Sequence, residues 1–181
     1  IYRLQMMGNE LSVNGTMAGA FYLLNKLKKN KIKLETSGLR TLVEAEVKNN
    51  SVLIRFSKTM VKSINKNVVS LKGINYLLWP GIKRKRTTKQ QKETLLKLAR
   101  GYPASGIVFY EKNRIQPLIY VKATNTFVWE TSCGSGSIAY ALVSGRSKIV
   151  QPSGSTVTIR QTEKSFEYKT KAVILPMEGG E

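Results

Sequence analysis

The order of elements written into this chain repeats. An apolar strand, a polar glycine-bearing loop, a helix and then several strands run from Ile1 to Ser57, and the same order runs from Gln116 to Leu175. This order predicts an α+β fold of two pseudo-symmetric lobes, each a curved, mostly antiparallel sheet around a central helix. Two helix starts and their two loops then face one another across a cleft. The first lobe is expected from Ile1 to about Val69 and the second from Ser70 to Glu181, with the last strand, Ala172 to Pro176, returning to the first lobe.

Local patterns place the elements. Met17, Phe21, Leu24 and Leu27 recur at helical spacing within Thr16 to Leu27, and Lys28-Lys29 follow where the helix dipole favours cations. Lys31 to Thr36, Leu39 to Lys48 and Ser51 to Ser57 read as strands, with Gly38 and Asn49-Asn50 at the turns. Asn65 to Ser70 shows no decisive period. Ile74 to Trp79 is a strand stopped by Pro80-Gly81, and Thr87 to Arg100 is a helix ended by Gly101-Tyr102-Pro103. Ile107 to Tyr110 pairs with Gln116 to Val121, Phe127 to Trp129 is a short strand, and Ile138 to Val143 is a helix. Ile149 to Gly154 reads as a turn, and Ser155 to Gln161, Ser165 to Tyr168 and Ala172 to Leu175 as strands.

The loop of the second unit, Trp129-Glu130-Thr131-Ser132-Cys133-Gly134-Ser135-Gly136-Ser137, holds the only cysteine of the chain. A thiol at a helix start meets unpaired backbone N–H groups and the positive end of the dipole, which favour the thiolate and lower its pKa. The same N–H groups can hold a carboxylate. A free cysteine is more often a small buried hydrophobe, but Gly and Ser directly after Cys133 argue against a simple core position.

Missing residue types exclude much chemistry. The chain contains no histidine and no aspartate, so a Ser-His-Asp triad, a histidine base and a histidine-ligated metal are ruled out within it. A single cysteine rules out an internal disulfide and a Cys-only zinc site, and fits a reducing, cytoplasmic setting. No uninterrupted apolar run is long enough to span a membrane. The formal charge of +19 raises nucleic-acid binding as a possibility. The charge is scattered, though, densest at Lys26 to Lys33 and Lys83 to Lys92, and no nucleic-acid motif accompanies it, so a lysine-rich solvated surface is the better account.

The first loop, Gly8-Asn9-Glu10-Leu11-Ser12-Val13-Asn14-Gly15-Thr16, and the second, Glu130-Thr131-Ser132-Cys133-Gly134-Ser135-Gly136, resemble the two active-site loops of the cofactor-independent amino-acid racemases and epimerases of the diaminopimelate epimerase fold. Those enzymes carry a Cys-Gly-Asn-Gly type loop and a Cys-Gly-Ser/Thr-Gly loop at two helix N-termini. The second match is close; the first is partial, with Ser12-Val13-Asn14-Gly15 in place of Cys-Gly-Asn-Gly. The Gly-Asn-Glu-Leu lead-in, the Gln116-Pro117-Leu118-Ile119-Tyr120 strand and Trp129-Glu130 before the cysteine resemble the histidine racemase branch, which supplies D-histidine for an opine-type metallophore. The resemblance covers nearly the whole chain in order. It also implies strands and a helix ahead of the first loop, so this chain is expected to be a fragment of the family's first domain.

The resemblance implies that Cys133 and Ser12 flank the substrate Cα from opposite faces and move its proton, with no metal or cofactor. Backbone N–H groups of Val13, Asn14, Gly134 and Ser135 would hold the α-carboxylate and the enediolate that develops. Glu10, the only acid of the first loop, is a candidate contact for the ammonium group, against a solvated loop carboxylate. Asn14, Asn75 and Asn9 are candidate polar contacts, against a role in turn geometry. Trp129 or Tyr76 is a candidate pocket wall, against ordinary core packing.

Ser12 departs from the family, because a hydroxyl is a far weaker acid than a thiol. An engineered substitution, natural divergence toward one-sided chemistry and lost activity all account for it; Val13 beside it favours divergence. Diaminopimelate is disfavoured as substrate, since no arginine precedes the second loop and Gly73-Ile74-Asn75-Tyr76 stands in place of Gly-Asn-Pro-His. The expected partner is a small amino acid, histidine-like; a second copy of the chain is left open. Two rivals stand: an isomerase of phenazine-precursor type with Glu10 as base, and a basic binding protein on a decayed racemase scaffold.

Overall fold

Alternation along Ser51–Ser57 shows how the chain builds its sheet: Val52, Ile54 and Phe56 are fully buried, while the residues between them are half-exposed on the other face. The computed structural model describes residues 1–39, 41–49, 51–82 and 86–172. In chain order the elements are β1 (Tyr2–Leu4), α1 (Val13–Lys26), β2 (Lys31–Thr36), β3 (Val43–Lys48), β4 (Ser51–Ser57), a 3-10 turn (Lys58–Met60), β5 (Val61–Asn65), β6 (Val68–Leu71), β7 (Ile74–Pro80), α2 (Lys89–Leu98), β8 (Ala104–Glu111), β9 (Arg114–Val121), β10 (Thr126–Trp129), α3 (Gly134–Ser144), β11 (Lys148–Val150), β12 (Thr156–Gln161) and β13 (Ser165–Lys171). The result is an α+β fold.

Among the described residues the strands follow one hydrogen-bonded path, β1-β2-β3-β4-β13-β12-β11-β9-β8-β7-β6-β5, with β10 beside β9. Most pairs are antiparallel; β1 with β2, β7 with β8 and β9 with β11 are parallel. The join between the early and late parts of the chain is β13 on β4, in register from Ser165 opposite Ser57 to Lys171 opposite Ser51.

The helices divide the interior into two cores. The larger contains Ala20 and Leu24 of α1 and Ile138 and Ala141 of α3, packed on Ile54, Tyr76, Val108, Ile119 and Tyr168. The smaller lies under α2, where Leu95 and Ala99 meet Ile107, Phe109, Leu118 and Tyr120. So β8 and β9 send alternate residues to opposite cores, which is why both are buried almost throughout.

Several boundaries differ from the sequence reading, each for a local reason. Helix α1 begins at Val13, not Thr16, and α3 at Gly134, not Ile138, because Ser12 and Cys133 cap them and the Gly- and Ser-rich first turns carry no apolar period. Helix α2 begins at Lys89 behind a Thr88–Gln91 capping box. The unassigned stretch around Asn65 is the β5–β6 hairpin, turned by Lys66 at φ 53°; most of β5 is exposed, so it shows no alternation. The expected turn from Ile149 opens with strand β11, whose Ile149 is fully buried opposite Val157. The expected strand Ala172 to Leu175 lies outside the described residues from position 173 on, as do residues 83–85 of the second lysine patch. No helix among the described residues is long and apolar enough to cross a membrane.

Candidate active site

Ser12 and Cys133 hold the same place in two helices. Each is an N-cap with extended backbone, Ser12 at φ −116° and ψ 106°, Cys133 at φ −138° and ψ 101°. Ser12 Oγ accepts the Gly15 N–H at 2.9 Å, and Cys133 Sγ accepts the Gly136 N–H at 3.4 Å. One residue further on, Thr16 Oγ1 donates to the Ser12 carbonyl at 2.6 Å and Ser137 Oγ to the Cys133 carbonyl at 2.7 Å. Each cap thus ties down its own first turn with the same pair of bonds.

The two helix starts touch. A Cβ on Gly134 would fall 2.5 Å from Val13 Cγ1, so only glycine allows this approach. Asn14 Nδ2 donates to the Ser132 carbonyl at 2.8 Å, and Tyr168 donates its hydroxyl to Asn14 Oδ1 at 3.3 Å. Asn14 therefore staples the first loop to the second.

Each loop has its own anchor. In the first, Ser37 Oγ accepts the Met6 N–H and donates to the Glu10 carbonyl, at 3.1 and 2.8 Å. Leu11 lies between Gly38 (φ 78°) and Gly73 (φ 83°), where a Cβ would come within 2.8 and 2.9 Å of its backbone nitrogen. In the second, buried Gln151 accepts the Cys133 N–H at 2.8 Å and donates to Ser137 Oγ at 2.8 Å. The backbone of Cys133 is therefore clamped at its N–H and its carbonyl by one polar unit.

Between the caps is a cavity of about 70 Å³. The first loop contributes Met6, Glu10, Leu11, Ser12, Val13 and Asn14; β7 contributes Ile74 and Tyr76; β9 contributes Ile119 and Val121; the second loop contributes Glu130, Cys133, Gly134 and Ser135. Eight sequence-derived candidates, Glu10, Ser12, Val13, Asn14, Tyr76, Cys133, Gly134 and Ser135, meet here. Asn75 does not. It is on the face of β7 opposite Ile74 and Tyr76, where it accepts from Ser70 Oγ at 3.0 Å and donates to the Leu98 carbonyl at the end of α2, at 3.2 Å. Strand alternation decides this: adjacent residues of β7 cannot share a face. Tyr76 is a wall of the cavity, whereas Trp129 belongs to the smaller core, stacked on Phe109 with its indole N–H on Thr87 Oγ1 at 3.1 Å.

Glu130 has no assigned role in the sequence reading, yet it lines the cavity beside the thiol. Its signal was available: an acid three residues before the loop cysteine. Burial raises its pKa and the Glu10 charge adds to the rise, opposed by a hydrogen bond with Cys133. Glu10 Oε2 is buried without a hydrogen-bond partner. Two carboxylates thus face one small space with no lysine or arginine among its lining residues. Such a space suits a cationic group.

The electrostatics correct one expectation. A helix start was expected to depress the Cys133 thiol, but burial pushes it well above the ordinary thiol value and the Glu130 charge pushes it further; the Tyr76 hydroxyl and the Gly136 N–H pull the other way without prevailing. Cys133 is 3% exposed. Desolvation outweighs the dipole because the charged sulfur would lose most of its water.

The family model of the histidine racemase CntK N-terminal domain matches residues 1–173. The chain is 28% identical to a histidine racemase of Fusobacterium nucleatum subsp. nucleatum (strain ATCC 25586), covering 90% of this chain and 72% of that protein. It is 23% identical to a histidine racemase of Staphylococcus aureus (strain Mu50), covering 93% and 71%. Among solved structures it is similar to a PhzC/PhzF phenazine biosynthesis protein from Clostridium difficile (strain 630), with TM-score 0.58, 14% identity and coverage of 92% and 71%. It is also similar to an epimerase-type protein from Pseudomonas aeruginosa, with TM-score 0.58, 13% identity and coverage of 90% and 71%. At these identities the structural matches establish the fold.

Proposed function

Because this chain belongs to the family of the histidine racemase CntK N-terminal domain and is an amino-acid racemase by that membership, we propose that it inverts the α-carbon of histidine without a cofactor, using Cys133 on one face and Ser12 on the other. The observation that carries this reading is the pair of matched N-caps lining one cavity. The strand–loop–helix units act as two lobes. Their opening admits the substrate, since about 70 Å³ is far below the roughly 300 Å³ of an ordinary ligand pocket.

The α-carboxylate lies between the helix starts. The amides of Val13, Asn14, Gly134 and Ser135 are first-turn donors with no acceptor inside their own helices. They take up the negative charge that grows on the carboxylate as the α-proton leaves. The α-ammonium group faces Glu10 and Glu130. Its arrival offsets the Glu130 charge that adds to the burial-driven rise of the thiol, so substrate binding moves Cys133 toward the thiolate. Glu130, which lines the same cavity as the thiol, accepts the proton. Ser12, an alcohol, delivers a proton to the opposite face and removes one poorly. The enzyme is therefore asymmetric: the enantiomer whose α-proton faces Cys133 exchanges that proton faster than it inverts. Incubation of each histidine enantiomer in D2O, followed by NMR of the Cα proton and chiral chromatography, tests this. Exchange of one enantiomer ahead of inversion is expected; no exchange with either, and none after Ser12→Cys, overturns it.

The unpartnered Oε2 of Glu10 favours one second reading, an isomerase with a glutamate base. Turnover that survives Cys133→Ala and is lost in Glu10→Gln decides for it.

A further inference from the structure

We propose that Tyr76 is a positioning residue for Cys133, its phenol O–H donating to the sulfur and favouring the thiolate. This rests on the reading of Cys133 as the proton-transferring group, and the measurements below separate the two.

The placement is built. Tyr76 on β7 is fully buried, with its hydroxyl 3.5 Å from Cys133 Sγ and 2.7 Å from Ser135 Oγ. Its register partner on β8 is Gly106, where a Cβ would fall 2.6 Å from the ring's Cδ1. The missing side chain is the slot in which the ring lies. Ser135 has a proton of its own to give to the phenol oxygen, which leaves the phenol proton for the sulfur, a chain from Ser135 through Tyr76 to Cys133.

The surroundings give this O–H its weight. Facing the thiol are Glu130 from the loop after β10, Glu10 from the first loop, Tyr168 from β13 and the Gly136 N–H of α3. The Glu130 carboxylate disfavours a thiolate and no cationic side chain among the lining residues offsets it. Tyr76 at 3.5 Å and the Gly136 N–H at 3.4 Å are thus the near donors that favour it, with Ser135 Oγ farther off at 3.9 Å. Burial keeps the phenol well above its ordinary pKa, so it stays a donor throughout the working range. Phenylalanine would fill the Gly106 slot equally well, so the ring alone does not account for the tyrosine.

One cysteine in the chain makes the test direct, because every thiolate signal is that of Cys133. The rate of iodoacetamide alkylation is followed against pH in the unaltered protein, in Tyr76→Phe and in a protein with difluorotyrosine at position 76. Tyr76→Phe is expected to raise the apparent thiol pKa by about one unit, the size of one hydrogen bond to a charged acceptor. Difluorotyrosine, a stronger donor, lowers it. The acid limb of kcat/KM for histidine moves in the same directions, with KM little changed. An unchanged thiol titration in folded Tyr76→Phe overturns the proposal; if that variant does not fold, an unchanged titration with difluorotyrosine overturns it. A shifted titration without any Cα exchange upholds the Tyr76–Cys133 coupling and removes the proton-transfer role of Cys133 instead.

Discussion

The two caps share a backbone and differ in everything that surrounds it. Both bond their own first turn through a side chain to the N–H three residues on, and both have their carbonyls held by a hydroxyl four residues on. Ser12 is half-buried on a loop wedged between two glycines, and its Oγ takes one backbone N–H. Cys133 is buried, clamped by Gln151 at its N–H, and its sulfur meets a phenol, a carboxylate and a backbone N–H. Cap geometry thus fixes where each side chain stands, while the polar groups packed around it set its acidity.

The largest expected effect separates the caps chemically. Cys133→Ala is expected to lower Cα exchange of histidine by about a thousandfold, within the range for loss of a general acid or base. Ser12→Cys, which gives both caps the same atom, is expected to raise racemisation by about tenfold or more and to abolish the lag between exchange and inversion. NMR in D2O and chiral chromatography read both. If Ser12→Cys leaves the asymmetry in place, the difference between the caps is not one of acidity.

A smaller effect separates the anchors. Gln151→Leu leaves the buried Cys133 N–H without its acceptor and takes from Ser137 Oγ its donor, and is expected to cost about 1–3 kcal/mol, read by denaturant unfolding. Ser37→Ala removes two bonds on the more exposed loop, and about 1 kcal/mol is expected. Equal costs would mean that the second loop is no more tightly built than the first.

The smallest effect is a pH dependence. Glu130 titrates above its ordinary value when folded, so between that value and the folded one the native state binds more protons than the unfolded state. Stability contributed by this group is present below the unfolded pKa and is lost as pH rises through the folded one. Thermal melting of Glu130→Gln is expected to fall less with rising pH across this window. A profile parallel to that of the unaltered protein would show that Glu130 is not desolvated by the cavity.

Much of the site was legible because loops advertise themselves locally. Ser12, Val13 and Asn14, and Cys133, Gly134 and Ser135, stood together in two short glycine-bearing segments before helical periods, and the folded chain lines one cavity with all of them. Asn75 was misplaced because a linear motif does not reveal which face of a strand a residue takes; its neighbour Tyr76 has the face that matters. Glu130 went unassigned because its raised pKa comes first from burial in the folded cavity, to which Glu10, far away in sequence, only adds. The thiol pKa was read with the wrong sign because dipole and cap are local features and desolvation is not.

The α+β alternation, the two glycine-bearing loops ahead of helices and the lack of histidine chemistry within this chain were readable along the sequence, since periodicity, turn residues and missing side chains act within a few residues of themselves. Packing added what no segment carries alone: Glu10 and Glu130 share the space between the caps, and Tyr76 reaches the sulfur through a slot left by Gly106. Those facts depend on strand register and on burial, and both are settled when distant segments pack and exclude water.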